Sequence, residues 1–317
     1  MEKKTKNPLN KNVIIIVVMV VLLVYALSLI FVLGWGFMTS LKGRIDFRKN
    51  PLGLPNMELS HAQIFQLQNY QDVMRGMGML KFPAAYIRAG QRFQRTVDGS
   101  YILYLYNTLM YVGVGAIILA FVPAIGAYMC SKYKCKFSQI QTTVYLLFMM
   151  IPIVGTYPSE LGFLRATGMY DTFWGNWIQK LHFSGMYFFV YLAFYKGFSD
   201  TYAEAAEIDG ASQLDVLFRI VIPLSMKTIG SVLLIQVINL WNDYQVPLLY
   251  LPTHPTIAYA TYLFTDATKA IGLTGEFRGR IYYEVSACMM LALPILVIYI
   301  AFNKKLMGDI SMGGIKG

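Results

Sequence analysis

Six long apolar stretches without Asp, Glu, Lys or Arg constrain the fold more than any other feature of this chain. They cover residues 12–41, 99–131, 137–159, 181–195, 228–242 and 285–303. A helix needs about 20 apolar residues to cross a bilayer, with about 17 to 25 tolerated. The two shortest stretches reach this length if the fourth extends to Phe198 and the fifth to about Leu251. The pattern predicts an all-α polytopic membrane protein with six transmembrane helices.

The overall composition excludes the common soluble classes. Hydrophobic residues make up 56% of the 317 residues and charged residues 14%, against about 45–50% and about 25% in average soluble domains. A net charge of +10 would suggest nucleic acid in a soluble protein. Here the positive residues flank apolar stretches, so we expect a lipid bilayer and no nucleic acid as partner. Three cysteines indicate neither a disulfide framework nor a metal site.

Lysines next to the apolar stretches predict the orientation. They occur before the first stretch, between the second and the third, and after the sixth. With six spans these segments share one side, and the positive-inside rule makes that side the cytoplasm. We therefore predict an N-in, C-in topology. The long segment 39–100 falls outside although it is basic, but long loops count weakly under this rule.

This topology divides the chain into five parts. We predict a cytoplasmic N-terminal tail, a first transmembrane helix, an extracytoplasmic loop, a five-helix core and a cytoplasmic C-terminal tail. Their bounds are 1–12, 13–38, 39–100, 101–303 and 304–317. Within the core, residues 199–226 form a cytoplasmic segment between the fourth and fifth spans.

Local rules predict two short helices in this cytoplasmic segment. Thr201 and Glu204 have capping-box spacing, so a helix begins near Tyr202. Gly210 is suited to a left-handed helix end. A second capping box and a helix with one apolar face follow at Ser212, Asp215, Leu214, Leu217, Phe218 and Val221. Pro223 ends this helix or opens the fifth span. Two interpretations stay open at this point: an ordinary amphipathic surface element, or an elbow that another protein's groove receives.

The same segment resembles the cytoplasmic signature of ABC importer permeases. That signature is Glu-Ala-Ala, three residues, Gly, nine residues and Ile-x-Leu-Pro. Here Glu204-Ala205-Ala206 is followed after three residues by Gly210, and after nine more by Ile220-Val221-Ile222-Pro223. The spacing matches throughout, and Ile222 in place of Leu is a volume-conserving departure.

Further motifs resemble the carbohydrate-uptake branch, and in particular the second permease of maltose-type importers. They are Asp209-Gly210-Ala211, Trp241-Asn242-Asp243-Tyr244 late in the fifth span, and the ending Gly313-Gly314-Ile315-Lys316-Gly317. The resemblance covers about residues 101–317. Segment 39–100 matches poorly, so contacts of that loop are not carried over.

The resemblance implies a binding-protein-dependent, type I importer permease in the bacterial inner membrane. Such a chain is a transport subunit and not an enzyme. It pairs with a second permease, two ATPase subunits that use ATP and Mg²⁺, and an extracytoplasmic binding protein that delivers a sugar. The chain contains no Gly-Lys dipeptide and hence no Walker loop, so no cofactor is expected on it. Transport would proceed by alternating access.

The resemblance also implies two sets of site residues. The residues expected to contact the ATPase are Glu204, Ala205, Ala206, Asp209, Gly210, Ala211, Ile220 and Pro223. The residues expected to bind substrate are Trp241, Asn242, Asp243 and Tyr244. Each set also has a purely structural interpretation. Glu204 could serve only the capping box and contact no partner. Trp241, Asp243 and Tyr244 could be solvated or lie in an aromatic belt at the outer interface.

Three other functions compete with sugar import. A permease of the same mechanism could carry another solute, such as a peptide. An ion-coupled secondary transporter would need acidic residues within its spans, and only Asp243 is a candidate. A membrane enzyme would need a catalytic polar cluster, and the sequence contains no nucleophile–base constellation and no set of metal ligands.

Overall fold

The computed structural model describes residues 8–56, 66–88, 91–133, 135–151, 155–183, 185–198, 201–266, 270–277 and 279–307. The chain forms two compact units. The first contains Met1–Gly76 and Gly275–Met290, and the second contains Met77–Thr274 and Leu291–Gly317.

The first unit is built on a long apolar helix, α1 (Pro8–Ser40). Its large side chains between Val13 and Leu33 are 48–64% exposed, on every side of the helix. A helix that is apolar all round and uncovered by protein belongs in lipid. Two more helices, α2 (Arg44–Lys49) and α3 (Gln68–Gly78), follow it.

Hydrogen bonds tie the end of α1 to its neighbours in this unit. The Asn69 side chain donates to the carbonyl oxygens of Ser40 and Lys42 at 2.8 and 2.9 Å. The buried Ser286, in the first turns of α15 (Ile281–Met307), donates its hydroxyl proton to the Tyr282 carbonyl at 2.6 Å, and the same hydroxyl oxygen lies 3.2 Å from the Ser40 carbonyl oxygen. The first turns of α15 therefore contact the end of α1.

The second unit is organised around a long helix that starts as α4 (Tyr101–Leu109) and ends as α5 (Gly115–Lys132), with a π-helical turn between them. Alanines line the buried face of α5 at about one-turn intervals: Ala116, Ala120, Ala124 and Ala127. Small residues let helices approach closely in a membrane. They pack against aromatic residues of α9 (Met186–Lys196) and against α12 (Ile222–Asn242).

Shorter helices complete the second unit. They are α6 (Lys136–Met150), α7 (Thr156–Ala166), α8 (Phe173–Gln179), α10 (Thr201–Ile208), α11 (Gln213–Asp215), α13 (Gln245–Tyr250) and α14 (Ile257–Thr265). A second π-helical turn, Val216–Val221, joins α11 to α12.

The prediction of an all-α chain is wrong in segment 39–100. This segment contains a β-hairpin in which β1 (Lys81–Arg88) pairs antiparallel with β2 (Gln91–Asp98). The buried Phe82 ring lies edge-on to the Tyr259 ring, with centroids 5.2 Å apart. A search for long uncharged stretches passes over these strands because each has only eight residues, and charged residues bound or interrupt both of them.

Four helical stretches in the described residues are long and apolar enough to cross a membrane: Val13–Ser40, Tyr101–Lys132, Gln213–Asn242 and Ile281–Phe302. They overlap the first, second, fifth and sixth predicted spans. The predicted continuation of the fifth span to about Leu251 is wrong, because α12 ends at Asn242 and the separate helix α13 begins at Gln245. Helices also form in the third and fourth stretches, but α6 has 15 residues and α9 has 11. The count of six spans therefore stays a prediction.

Candidate functional site

The cytoplasmic segment folds into a helical elbow, Thr201–Pro223, whose turn has the predicted chemistry. Helix α10 begins at Thr201 and is followed by Gly210 at φ 84°. The Gly210 N–H donates to the Glu207 carbonyl at 3.1 Å, and the Ala211 N–H to the Ala206 carbonyl at 2.9 Å. These two bonds form a Schellman motif, in which the residue after the helix adopts the left-handed conformation that glycine tolerates best. The predicted left-handed end is confirmed.

The second helix of the elbow begins at the predicted cap. The Ser212 hydroxyl accepts from the Asp215 N–H at 3.2 Å and donates to its carboxylate at 2.6 Å. Helical backbone then continues without a break to Asn242. Pro223 lies in the first turn of α12, so it opens the fifth predicted span. The π-helical turn just before it widens the backbone where the proline ring would otherwise meet the carbonyl of Arg219.

The apolar face predicted for this second helix is only half correct. Leu217 and Val221 are buried, but Leu214 and Phe218 are 67% and 56% exposed, and Val216 takes an inner position. The predicted face assumed 3.6 residues per turn. The π-helical turn changes that period and rotates the buried side.

The elbow presents an exposed apolar surface. Ile208 is 85% exposed, and Leu214 and Phe218 lie on the same elbow. Of the predicted ATPase-contact residues, Glu204, Ala205, Asp209, Gly210 and Pro223 are exposed, whereas Ala206, Ala211 and Ile220 are partly buried. Three large apolar side chains on one short exposed element are typical of a surface that another protein covers.

A polar clamp that sequence analysis missed joins the elbow to the end of α5. The Lys132 ammonium donates to the Glu207 carboxylate at 2.6 Å, and the Gln213 amide donates to the same oxygen at 2.9 Å. The Tyr133 hydroxyl donates in turn to Gln213 at 2.8 Å. Hydrogen bonds from Lys132 and Gln213 hold the pKa of Glu207 below its ordinary value. No local motif signals this clamp, because Lys132 and Glu207 are 75 positions apart.

A polar cleft of about 300 Å³ lies where α12 meets α13. It is lined by Ile238, Asn239, Asn242, Asp243, Tyr244 and Gln245. Three of the four predicted substrate residues are among these. One Asp243 oxygen accepts from the backbone N–H groups of Gln245 and Val246 at 3.0 and 3.2 Å. The carboxylate therefore ends α12 and starts α13, which holds it at the cleft.

The fourth predicted substrate residue, Trp241, points into the protein. Its side chain is buried, and the indole N–H donates to the Leu291 carbonyl at 2.9 Å. This bond joins α12 to α15. Trp241 is therefore placed to support the cleft from behind and does not line it.

Two further residues stand behind Asp243. The Tyr111 hydroxyl donates to its second carboxylate oxygen at 2.6 Å. The ammonium of the buried Lys180 lies 4.6 Å from the centre of the Tyr111 ring and donates to Asn176 at 2.6 Å. Tyr111 belongs to the π-helical turn between α4 and α5. The sequence offers no signal for this group, since Tyr111 and Asp243 are 132 positions apart.

The arrangement offers binding chemistry. An aromatic ring, three side-chain amides and a carboxylate meet at the cleft, and Tyr244 is held in place by stacking on Tyr262, with ring centroids 4.3 Å apart. In the part of the chain that the structure describes, no group of His, Cys, Asp or Glu is arranged to hold a metal ion. The cleft can therefore hydrogen-bond a polyhydroxylated solute and stack against it.

Comparisons with known proteins agree on one kind of relative. The profile of the family "binding-protein-dependent transport system inner membrane component" matches residues 116–306. The melibiose/raffinose/stachyose import permease protein MelC of Bacillus subtilis (strain 168) is 25% identical over 213 residues, which are 67% of this chain and 75% of that protein. The arabinooligosaccharides transport system permease protein AraQ of the same organism is 22% identical over 217 residues, 68% of this chain and 74% of that protein.

A solved structure shares the fold. The crystal structure of a bacterial ABC transporter involved in the import of the acidic polysaccharide alginate contains a chain with a TM-score of 0.70 and 19% sequence identity. The alignment covers 96% of this chain and 99% of that one. Both the elbow and the polar cleft lie within residues 116–306, which the family profile matches.

Proposed function

This chain belongs to the family of binding-protein-dependent transport system inner membrane components, because the profile of that family matches more than half of its residues, and we propose that the chain forms half of the translocation path of a sugar importer. The substrate would be an oligosaccharide or a related sugar, as the names of the relatives indicate. The single observation that carries this proposal is the polar cleft, which joins an aromatic face to amide and carboxylate groups.

The fold is that of type I ABC permeases, and we infer six spans with both termini in the cytoplasm of a bacterial cell. Four long apolar helices support this count directly. The third and fourth spans would be α6 and α9 together with the apolar residues that flank them. Lysines at both termini and after α5 support the orientation.

The elbow would be the contact with an ATPase subunit. Its exposed apolar residues Ile208, Leu214 and Phe218 would enter a groove of that subunit. The clamp from Glu207 to Lys132 would then transmit movement of the elbow to α5. ATP and Mg²⁺ would be used by two ATPase subunits, and the conformational change here would be alternating access around a shared path with a second permease.

The polar cleft would contact the solute that an extracytoplasmic binding protein releases. Asn242, Asp243 and Tyr244 would bind it, and Trp241 would act through the position of α12. A non-sugar solute such as a peptide is the alternative within the same mechanism.

Reconstitution tests the proposal. The chain is co-expressed with the companion permease, ATPase and binding-protein genes of its own genome, and the complex is placed in vesicles. We expect ATP-dependent uptake of a labelled oligosaccharide that requires the binding protein. Uptake of a peptide and not of any oligosaccharide would contradict the sugar assignment.

Cysteine labelling tests the topology. Single cysteines at Ser212 and Gln71, in a background without native cysteines, should label from inside and outside respectively.

A further inference from the structure

The first unit contains a basic cleft of about 390 Å³. The proposed transport function gives none of its lining residues a role. Its main lining residues are Arg44, Phe47, Arg48, Arg280, Ile281 and Tyr282, together with two glycines. The volume is within the range of ligand sites, about 300–1,000 Å³. Three of the lining residues carry a guanidinium and none carries a carboxylate, so the cleft has the charge of an anion site.

The arginines are placed to act together. Arg44 and Arg48 are four positions apart on α2, hence on one face of the helix. Arg280 comes directly before α15, and its guanidinium donates to the Tyr282 hydroxyl at 3.3 Å. Within the described ranges, none of the three forms an ion pair. The nearby Asp46 is buried, and its carboxylate accepts from the Asn56 N–H at 3.0 Å.

The cleft lies at the ends of two apolar helices. α1 ends at Ser40, four residues before Arg44, and α15 begins at Ile281 within the cleft lining. The buried Ser286 hydroxyl lies 3.2 Å from the Ser40 carbonyl oxygen, so these two helix ends are in contact. α1 exposes apolar side chains on every side from Val13 to Leu33, whereas Thr39 and Ser40 are buried in protein. These 21 residues are long enough to cross the hydrocarbon, so the end of α1 lies beyond it, on the side of the headgroups.

We propose that this cleft binds the phosphate of an anionic phospholipid. Guanidinium groups bind phosphate through paired, charge-assisted hydrogen bonds. Phe47 and Ile281 add apolar surface beside the three charges, which suits a ligand with an anionic head and an apolar tail. A free anion would match the charges but would leave this apolar surface without a partner, and an acidic saccharide that stacks on Phe47 would still leave the aliphatic Ile281 side chain uncovered. The bound lipid would join the ends of α1 and α15 across α2.

Lipid retention by the whole complex tests this site. The importer is purified in mild detergent after equilibration with equal amounts of phosphatidylglycerol and phosphatidylcholine, and bound lipids are counted by native mass spectrometry. The variant combines Arg44→Gln, Arg48→Gln and Arg280→Gln. Arg75→Gln is the matched control, because Arg75 lies in the same unit, is 63% exposed and does not line the cleft.

Wild type and the Arg75→Gln control should retain phosphatidylglycerol in preference to phosphatidylcholine. The triple variant should lose this occupancy by about tenfold, since charge-assisted bonds to phosphate are among the strongest hydrogen bonds. An unchanged occupancy in the triple variant would overturn the proposal.

Two further measurements keep the test decisive. If the triple variant does not assemble, the single variant Arg280→Gln should still lower occupancy, while Arg44→Lys/Arg48→Lys should retain the preference for phosphatidylglycerol in weaker form. Wild-type occupancy in Arg280→Gln would count against the site.

Inorganic phosphate and a uronate oligosaccharide are added as competitors at matched concentration. Displacement of the lipid by either would assign the cleft to a soluble anion instead. Because lipid is counted and uptake is not, the result is independent of the proposed sugar import.

Discussion

The elbow and the polar cleft are both candidate sites of the second unit, but they are built in opposite ways. In the elbow, bonds between residues three to six positions apart make the turn and its cap, and most of its side chains are exposed. In the cleft, Asp243 is positioned by Tyr111, and Trp241 by Leu291, across 132 and 50 positions. The turn and cap of the elbow are therefore encoded locally, although the clamp and the buried Val216 and Leu217 fix the elbow to the rest of the unit. The cleft exists only when several helices have packed.

This contrast has a functional consequence. Substitutions in the elbow should change the use of ATP and leave solute recognition intact. Substitutions in the cleft should impair uptake and leave basal ATP hydrolysis intact. Four sets of variants test this division, and they follow in order of expected effect.

Gly210→Val should have the largest effect. A β-branched side chain at φ 84° is strained by about 1–3 kcal/mol, which disrupts the turn that orients both short helices. We expect co-purification of the ATPase and uptake to fall by more than about tenfold, with normal insertion of the chain. Gly162→Val is the matched control, since Gly162 lies in α7 with open space around it and without a positive φ. Normal coupling in Gly210→Val would remove the elbow from the ATPase contact.

Asp243→Ala should come next. It removes the carboxylate that lines the cleft, starts α13 and accepts from Tyr111. We expect about tenfold lower uptake with unchanged basal ATP hydrolysis. Tyr111→Phe removes only the hydroxyl donor and should reduce uptake less, because a hydrogen bond to a charged group contributes about 1.5–3 kcal/mol at most. If both variants transport normally, the cleft is architectural and the solute contacts lie elsewhere.

Breaking the clamp should have an intermediate effect. Lys132→Glu or Glu207→Lys places like charges where a 2.6 Å ion pair now lies. Ion pairs in contact with solvent add little to folding stability, so stability should change little while the ratio of uptake to ATP hydrolysed falls several-fold. The swap of both charges should restore part of this ratio. Equal ratios in the single and double variants would show that the clamp does not transmit movement. Because the pKa of Glu207 is lowered, coupling should not vary with pH near neutrality.

Glu204→Ala should have the smallest effect. Glu204 is exposed, and loss of a capping interaction alone costs about 0.5–2 kcal/mol in local helix stability. We expect about a twofold loss of substrate-stimulated ATP hydrolysis. Glu204→Gln separates the two roles, because glutamine also serves in a capping box. Wild-type activity in Glu204→Gln indicates a cap, whereas a loss equal to that of alanine indicates contact with the ATPase.

Prediction from sequence succeeded for most features that neighbours along the chain decide, with two exceptions. Apolar stretches located the long helices of the described residues, because the number of uncharged residues sets whether a helix can cross lipid. Gly210 and Ser212 located the elbow, because a left-handed turn and a cap each need a particular residue type. The hairpin at Lys81–Asp98 was missed, since its eight-residue strands are shorter than the uncharged stretches that predicted helices. The apolar face of the second elbow helix was misplaced because a π-helical turn changes the period.

The sequence by itself thus determined the class of the protein, its long helices, the elbow and the family signature, all of which depend on composition and spacing within about twenty residues. Only the tertiary structure decided that Trp241 faces inward, that Tyr111 and Lys180 stand behind Asp243, and that Lys132 holds Glu207. It also brought Arg280 to the face of α2 that carries Arg44 and Arg48. The physical reason is that a hydrogen bond or a shared cleft depends on distance in space, and packing of the helices sets that distance for residues 50 to more than 200 positions apart.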